Sequence, residues 1–457
     1  MSELFEDLPE QRRERSQASA RPRVLEADRR QVGLEPVCLD DLLAPEHPAR
    51  AVWAFVEGLD LAPLYALIRA SEDRAGRPAI DPKILVSLWL YATVDGVGSA
   101  RALARLCTEH VAYRWLCGGV SVNHHTLSDF RVAHVDWLDG VLTASVAGLM
   151  HQGLVTLERV AQDGMRVRAS AGAASFRRRK SLERCRDEAK AQVDALKAEL
   201  EADPAGADRR RRAARERAAA ERLDRVEAAL RTLDAVEAAD AERGGGGTSR
   251  AGGGRSDAAG DDDDEERDKR RARRASTTDP EVRVMKMADG GWRPAVNVQY
   301  ATDVDSGVGV DVANGGNDQP QLIPMVEQIA DRYGTAPTAW LADGGFVSLD
   351  AVEKLADRRI ALYAPPPKPR GGRAAGPRPG DAPSVATWRE RMASDEGRAI
   401  YKQRAATSEW VNAGARGRGL HQIPVRGRAK ARAIALWHAV AHNLTRLIAP
   451  PAAARSA

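Results

Sequence analysis

Residues 294–303 (PAVNVQYATD) and 307–314 (GVGVDVAN) alternate apolar and polar side chains on either side of a short polar turn, which predicts a β-hairpin. Further helical and strand patterns alternate after it: 321–334 (QLIPMVEQIADRYG), 338–346 (TAWLADGGF), 348–359 (SLDAVEKLADRR) and 360–367 (IALYAPPP). Such alternation favours a mixed or parallel sheet covered by helices. This half of the chain is therefore expected to have an α/β fold.

The α/β pattern also occurs before a long interruption. LVTLERVAQDG and MRVRASAG predict two short strands with Asp163 and Gly164 at the turn between them. Residues 177–242 carry apolar side chains at 3/4 spacing, which favours an antiparallel helical hairpin that packs on itself or joins two protomers. Residues 243–276 are Gly-rich and then blockwise acidic and basic, which predicts a disordered linker. We therefore predict one α/β domain formed by 151–176 and 277–450, with the hairpin and linker inserted into it.

The region before the α/β domain, residues 31–150, is dense in helical signals. Asp81 and Pro82 open a helix in the N-cap/N1 order, and Ser99 begins another. Several short helices joined by tight turns favour a helix-turn-helix-like bundle. Residues 1–30 are polar and Arg-rich, which predicts a disordered arm.

Composition excludes several classes of protein. The 69 Lys and Arg against 65 Asp and Glu give a net charge of +4, so a basic surface for a polyanionic partner must be local. Four cysteines at scattered spacings form no disulfide framework, which favours a reducing cytoplasm. No apolar run approaches the ~20 residues of a membrane span, and the first residues lack the apolar core of a signal peptide. We expect a soluble cytoplasmic protein rather than a secreted, membrane or collagen-like one.

Three acidic residues stand out by their surroundings. Asp163 follows a hydrophobic strand, Asp343 ends another strand before two glycines, and Glu409 lies on a charged helix predicted at 388–413. Three carboxylates brought together by a fold can hold two divalent cations ~3.5–4 Å apart for phosphodiester cleavage, and hard oxygen ligands favour Mg²⁺ or Mn²⁺. An Asp in a turn is more often only a turn residue. Asp318 and Asp395 also compete for a place in such a site.

A series of short motifs runs in order along nearly the whole chain. They are HPARAVWAFVEGLDL, GRPAIDPKILVSLWLYA, HHTLSDFR, AQDGMRVRASA, TDPEVRVMK, GWRPAVNVQ, GGNDQPQLIPM, LADGGF, YKQR with Glu409, and HNLTRL. With this ordered set the sequence resembles the bacterial insertion-sequence transposases of the DDE superfamily, whose catalytic domain has the RNase H-like fold. No single motif is specific, and the ordered set carries the resemblance.

The resemblance implies an activity and a set of catalytic residues. Asp163 matches the first Asp of the family pattern, Asp343 the second Asp, and Glu409 the third carboxylate, and together these hold two Mg²⁺ or Mn²⁺ ions. A transposase of this kind cuts the ends of its mobile element and joins the freed 3′-hydroxyl to target DNA. Its partners are the terminal inverted repeats, the target DNA and a second copy of itself in the synaptic complex, on the bacterial nucleoid.

The pattern around the third carboxylate departs from that of relatives. They often show Tyr-x2-Arg-x3-Glu-x6-Lys, whereas here Tyr401 and Arg404 are correctly spaced, Glu409 lies one residue late, and Arg416 takes the last basic position. In relatives such residues contact DNA near the cleaved phosphate, and Lys402 belongs to the same cationic stripe. The alternative is an ordinary pair on a helix surface.

The helical region 76–135 matches the domain that binds terminal repeats in such transposases. Its candidates for phosphate contacts are Arg101, Arg105, Arg114, Arg131 and His134. Most of them could instead be solvated surface. Cys107, His110 and Cys117 loosely suggest zinc, but a fourth ligand is missing, so core cysteines and a surface histidine are favoured.

Two other functions remain open from the sequence. A related nuclease would hydrolyse DNA without strand transfer. A domesticated copy would bind DNA without catalysis, although all three acidic positions are intact.

Overall fold

A computed structural model describes residues 38–69, 78–202, 209–245, 273–315, 318–367 and 376–448. The arm predicted at 1–30 lies outside the described residues, and so do residues 246–272 of the linker predicted at 243–276. The described ends of that linker belong to a helix that ends at Gly245 and a short strand at Ala275–Ser276, so the prediction of disorder is wrong there. Within the described ranges, every helix is too short or too polar to span a bilayer.

The chain begins with a group of short helices. Their bounds are α1 Pro48–Glu57, α2 Ala62–Tyr65, α3 Pro82–Val94, α4 Ala100–Glu109, α5 Val111–Cys117, α6 His124–Ala133 and α7 Val135–His151, after a 3₁₀ turn at Asp40–Leu42. The predicted caps are confirmed: the Asp81 side chain accepts a hydrogen bond at the start of α3, and that of Ser99 at the start of α4. Helix α3 is buried along most of its length because it is apolar on nearly every side.

A mixed six-stranded sheet follows, as the alternation of patterns predicted. Its strands are β1 Arg159–Arg168, β4 Arg283–Lys286, β5 Trp292–Asp303, β6 Gly309–Gly315, β7 Ala339–Ala342 and β8 Ala361–Tyr363. Strand β5 is antiparallel to β1 on one side and to β4 and β6 on the other, whereas β1, β7 and β8 are parallel. The predicted hairpin is confirmed as β5 and β6. Strand β1 lies at the centre, between the antiparallel and parallel parts.

The prediction of two strands with a turn at Asp163 is wrong. β1 is one continuous strand, and Asp163 pairs with Tyr300 and Gly164 with Gln299 in its middle. An Asp-Gly pair is a strong turn signal, because both residues tolerate left-handed backbone. Here the glycine serves a different purpose, since a Cβ at Gly164 would lie 2.5 Å from the Asp318 carboxylate and the Gln299 amide. Close packing against the strand explains this glycine.

Two long helices, α8 (Arg179–Ala202) and α9 (Arg209–Gly245), interrupt the α/β part. The helices pack against each other. Their buried contacts come from the apolar stripe seen in the sequence: Leu182, Val193, Leu196, Val226 and Leu233. At the base, β2 (Phe176–Arg177) pairs with β3 (Ala275–Ser276), so the chain leaves and re-enters the sheet region side by side.

The remaining helices cover the sheet and close the fold. They are α10 Leu322–Tyr333, α11 Leu349–Asp357, α12 Pro383–Ala393, α13 Asp395–Arg404, α14 Trp410–Gly417 and α15 Arg428–Ile448. The single helix predicted at 388–413 is wrong, because Ser394 ends α12 and caps α13, and a π-helical turn at Ala405–Glu409 separates α13 from α14. Helix α15 packs on β6 and also on α3, α6 and α7. The N-terminal helices and the sheet therefore share one hydrophobic core.

Candidate active site

Asp163 and Asp343 are neighbours across the two central parallel strands. The last pair in the β1–β7 ladder joins Gln162 to Ala342, and the next residue on each strand is one of the two aspartates. Adjacent strands lie about 4.8 Å apart. Asp343 is exposed where β7 ends, and its Oδ1 accepts a hydrogen bond of 2.6 Å from the Gly344 amide. Two carboxylates that are far apart in sequence therefore share one region at the end of β7.

Two side chains from the C-terminal helices reach Asp163. Asn412 on α14 donates a hydrogen bond of 2.9 Å to Oδ2, and the Arg404 guanidinium at the end of α13 lies 3.6 Å from Oδ1. Arg404 also lies over the ring of Tyr401, with 5.6 Å between the guanidinium carbon and the ring centroid. The aspartate is thus held by one neutral and one cationic partner.

Burial raises the pKa of Asp163 above its ordinary value, despite the nearby Arg404 charge and a hydrogen bond from the Gly164 amide, both of which lower it. The negative charges of Asp343 and Asp318 raise the same pKa further. Burial is therefore the main cause of the raised pKa, and the two further carboxylates add to it. A cation bound here would favour the charged form of Asp163.

Asp318 approaches β1 from the other face of the sheet. Consecutive strand residues point to opposite faces, and Asp318 lies over Gly164 rather than beside the Asp163 side chain. Its Oδ1 accepts hydrogen bonds of 2.6 Å from Asn297 and 2.9 Å from Gln299 on β5. Two amides therefore fix this carboxylate at the strand that carries Asp163.

Glu409 lies at the end of the π-helical turn and is exposed. It makes no hydrogen bond or ion pair within the described part of the chain. The turn packs on β1 and β5, and Asn412, three residues further on, is the side chain that contacts Asp163. π-Turns are rare and often occur at functional sites, because the extra residue changes the direction of the side chains that follow.

The other candidates near the third carboxylate lie mostly at the surface. Lys402 and Arg416 are exposed, and Tyr401 is half-buried. Asp395 is a solvent-facing residue in the first turn of α13, where it pairs with Arg398 at 2.6 Å. Of these residues, Arg404 contacts Asp163. Asp395 instead forms a surface ion pair with Arg398 and does not contact Asp163.

The oxygen donors around Asp163 fit a divalent metal ion in part. Within the ranges that the structure describes, no three or more His, Cys, Asp or Glu side chains are arranged to hold one. Asp163 and Asp343 nevertheless offer hard carboxylate oxygens, and the buried Oδ1 of Asn412 has no hydrogen-bond partner among the described residues. Oxygen donors of this kind suit Mg²⁺ or Mn²⁺, which usually keep further ligands from water or substrate phosphate. The residues fit such an ion with part of its shell supplied from outside the chain.

The arginines predicted to contact DNA differ in exposure. Arg101, Arg105 and Arg114 are exposed on α4 and α5, and Arg105 pairs with Glu109 at 3.3 Å. Arg131 is buried and is not part of the outer surface. His134 is half-buried, and burial lowers its pKa.

Cys107 and Cys117 are buried side chains of the helical core, as the sequence favoured. His110 caps α5, where its Nδ1 accepts a hydrogen bond of 3.3 Å from the Ala112 amide. Among the described residues the three form no metal-binding group.

Comparison with known protein families gives a match to the N-terminal helices. Residues 37–133 match a family model described as a transposase domain (DUF772). The match supports a transposase family. The matched segment ends with α6, at Ala133, and does not include Asp163 or Asp343 on the sheet. No curated protein and no solved structure matches the chain.

Asn412, Asn297 and Gln299 are site residues that the sequence reasoning missed. The sequence does carry a signal for Asn297 and Gln299, because they are polar residues two positions apart in an otherwise apolar stretch of a buried strand. Buried polar groups need partners, so such a pair indicates a hydrogen-bonding neighbour. Asn412 had no comparable signal.

Proposed function

We propose that this protein is a DDE transposase with an RNase H-like catalytic domain, which cuts the ends of an insertion sequence and transfers them to target DNA. The observation that carries the proposal is the juxtaposition of Asp163 and Asp343 at the end of the central parallel strands. The match to a transposase domain supports the same function from the other half of the chain. The mixed sheet flanked by helices fits the fold that the resemblance implies.

The position of the Asp163 carboxylate next to that of Asp343 supports a role in metal binding. Asp163 and Asp343 would hold the metal, with the Asn412 side chain beside them. Glu409, exposed at the end of the π-turn that packs on β1 and β5, would join them as the third carboxylate when DNA is bound. Two bound Mg²⁺ or Mn²⁺ ions would supply an activated water and stabilise the leaving oxygen.

Arg404 would act on the substrate as well as on Asp163. Its guanidinium lies at the carboxylate and has a planar set of donors that suits a phosphate. A DNA phosphate beside Asp163 would therefore compete for this arginine and be oriented by it. Tyr401 stacks on Arg404 and would limit where the guanidinium can point.

The exposed arginines of the helical region would bind the terminal inverted repeats. Arg101, Arg105 and Arg114 lie at the surface of α4 and α5, where phosphate contacts require no rearrangement of the core. Lys402 and Arg416 would contact DNA next to the catalytic aspartates. Two copies would assemble on the two element ends, on the nucleoid of a bacterial cytoplasm.

The test is a cleavage assay on linear DNA that carries the element's ends, with and without Mg²⁺, beside a gel-shift titration on the same DNA. A transposase binds the ends, nicks them only with metal and joins them to a second DNA. Cleavage without joining would identify a nuclease. Binding without cleavage at any metal concentration would contradict the proposal and favour a domesticated DNA-binding protein.

A further inference from the structure

A second site lies between the N-terminal helices and the segment that joins α14 to α15. It is a cavity of about 460 Å³, within the usual range for small-ligand sites. Its cationic and aromatic walls are Trp89, Arg101, Arg131, Arg418, Trp437 and His438. No acidic side chain lines it within the described residues.

Two buried side chains in this cavity have polar atoms without partners. Arg131 is 6% exposed; it donates a hydrogen bond of 2.5 Å to the Gly98 carbonyl and stacks on Trp89, but its Nε has no acceptor among the described residues. His438 is 8% exposed, and its Nδ1 also has no partner there. Both side chains line the same cavity, where a bound ligand would complete their hydrogen bonding.

The positive charge of the cavity is not balanced by the protein. Neither Arg131 nor Arg418 forms an ion pair with a carboxylate in the described part of the chain. Burial lowers the pKa of both, that of Arg131 to about 10. The buried Arg389 elsewhere in the fold does have such a partner, with its Nε 3.0 Å from Asp381. Buried charges are normally paired, so an anion is the missing component here.

Two helices begin at the cavity. Ser99, Ala100 and Arg101 at the start of α4 line it, and so do His124 and His125 at the start of α6. Each helix has ten residues, and each cap side chain accepts a hydrogen bond from one amide, Ser99 from Ala102 and Asn123 from Thr126. Other first-turn amides have no intrahelical acceptor, and the positive ends of both helix dipoles favour an anion.

We propose that this cavity binds a phosphate group of a nucleotide in a DNA strand. The cationic groups and the two helix starts suit the phosphate, and the Trp89 and Trp437 side chains provide an apolar wall for the sugar or base. That the phosphate belongs to DNA rests on the proposed function, whereas the phosphate chemistry follows from the cavity alone.

The cavity would also hold two regions of the protein together on the DNA. Gly419 has a φ of +86°, and a Cβ there would lie 3.0 Å from the Gly96 carbonyl oxygen. This close approach brings the turn after α3 against the end of α14. A nucleotide bound between them would contact both the helical region and the segment that carries Asn412.

The test uses the full chain in EDTA, so that the carboxylate site binds no metal. Calorimetric titration measures binding of a single-stranded tetradeoxynucleotide, and inorganic phosphate serves as competitor. Arg101→Ala removes a charge from the mouth of the cavity, and we expect about tenfold weaker binding. Arg358→Ala is the control: it removes the same charge from an exposed position at the end of α11, outside the cavity, and we expect a change of less than about twofold.

Equal effects of the two variants would overturn the proposal. His438→Leu provides a second test: it should weaken binding while leaving the melting temperature equal or higher, because it removes an unpartnered buried group. Unchanged binding in this variant would also contradict the proposal.

If inorganic phosphate displaces the tetranucleotide at equal concentration, the ligand is free phosphate and the assignment to DNA is wrong. Mg²⁺-dependent cleavage is measured on the same preparations. Cleavage without cavity binding rejects this inference alone, and cavity binding without cleavage rejects the proposed function alone.

Discussion

Two aspartates on the same sheet, Asp311 on β6 and Asp163 on β1, show how a structural and a functional carboxylate differ. Asp311 is completely buried, and its Oδ1 lies 3.2 Å from the Arg332 guanidinium and 2.5 Å from the Gln328 amide. Arg332 also bonds Asp139 at 2.9 Å, which ties the sheet to α7. The Val312 amide donates to the same oxygen at 2.7 Å, so three protein groups surround Asp311 at a position closed to solvent.

Asp163 also has three protein partners, the Asn412 amide, the Arg404 guanidinium and the Gly164 backbone amide, but it lies beside an exposed carboxylate. The charges of two further carboxylates, Asp343 on the neighbouring strand and Asp318 on the other face of the sheet, raise its pKa. Asp343 is open to solvent.

The buried group of Asp311, Arg332 and Asp139 forms a closed network, whose charges are paired by the protein. Asp163 and Asp343 form an open group, whose carboxylates can still bind a cation from solvent. We therefore expect mutations at Asp343 to lower DNA cleavage and mutations around Asp311 to lower the stability of the fold.

The largest effect is expected at the open group. Asp343→Asn keeps the size but removes a charge, and we expect metal-dependent cleavage to fall about 1000-fold or more, because transition-state charge is no longer balanced. DNA affinity should change by less than about twofold, since phosphate contacts lie elsewhere. Asp395→Asn is the control and should cut normally. If Asp343→Asn cuts at near wild-type rate, the assignment of the active site is wrong. If it cuts nothing and also fails to bind DNA, Asp343 is structural.

Mutations in the closed network of Arg332, Asp311 and Asp139 should lower the free energy of unfolding. Arg332→Met leaves the buried Asp311 without its cation, whereas Asp139 keeps Arg432 at 2.9 Å. We expect a loss of about 3–5 kcal/mol in the free energy of unfolding, measured with denaturant. Arg358→Met breaks an exposed pair with Glu327 and should cost less than about 1 kcal/mol. Similar losses in the two variants would show that the buried network does not stabilise the fold more than a surface pair does.

Gly164→Ala tests the packing behind Asp163. The added methyl group would overlap Asp318 and Gln299, and we expect a loss of about 2–3 kcal/mol in stability together with about tenfold slower cleavage. Gly172→Ala is the matched control, since no atom lies within 4 Å of its added Cβ. A neutral Gly164→Ala would mean that Asp318 does not need its position over β1.

The smallest effect is a pH dependence at Asp311. Burial raises its pKa from 3.8 to about 6 despite Arg332, so the folded protein holds this proton more tightly than the unfolded chain. The stability from this group is therefore fully present below about pH 4 and is lost as the pH rises through about 6, by on the order of 1–3 kcal/mol. Unfolding curves of wild type and Asp311→Asn should diverge over this range. Parallel curves would mean that Arg332 keeps Asp311 charged throughout.

Local signals predicted much of the fold. The caps of α3 and α4 follow from Asp81 and Ser99, and the β5–β6 hairpin follows from alternation, because these features depend on neighbours in sequence. The continuity of β1 was not predictable in this way. Only the approach of a distant residue, Asp318, explains why Gly164 lies in a strand rather than in a turn.

The candidate site was predictable only in part, for a related reason. Asp343 ends a strand before two glycines, which is visible in the sequence. The π-turn before Asn412 changes the helix phase, and no periodicity in 388–413 indicates it. The cationic cavity joins Arg131 to His438, which lie some three hundred residues apart, so its unbalanced charge emerges only from the packing of α15 on the N-terminal helices.

Anomalous diffraction from crystals of the protein bound to element-end DNA and Mn²⁺ would test the central claim most directly. We expect two Mn²⁺ peaks about 4 Å apart, each about 2 Å from a ligand oxygen, with Asp163 and Asp343 among the ligands and Glu409 drawn in beside them. The same crystals of Asp163→Asn should lose at least one peak. Mn²⁺ bound elsewhere, with both aspartates still held only by protein groups, would contradict the account.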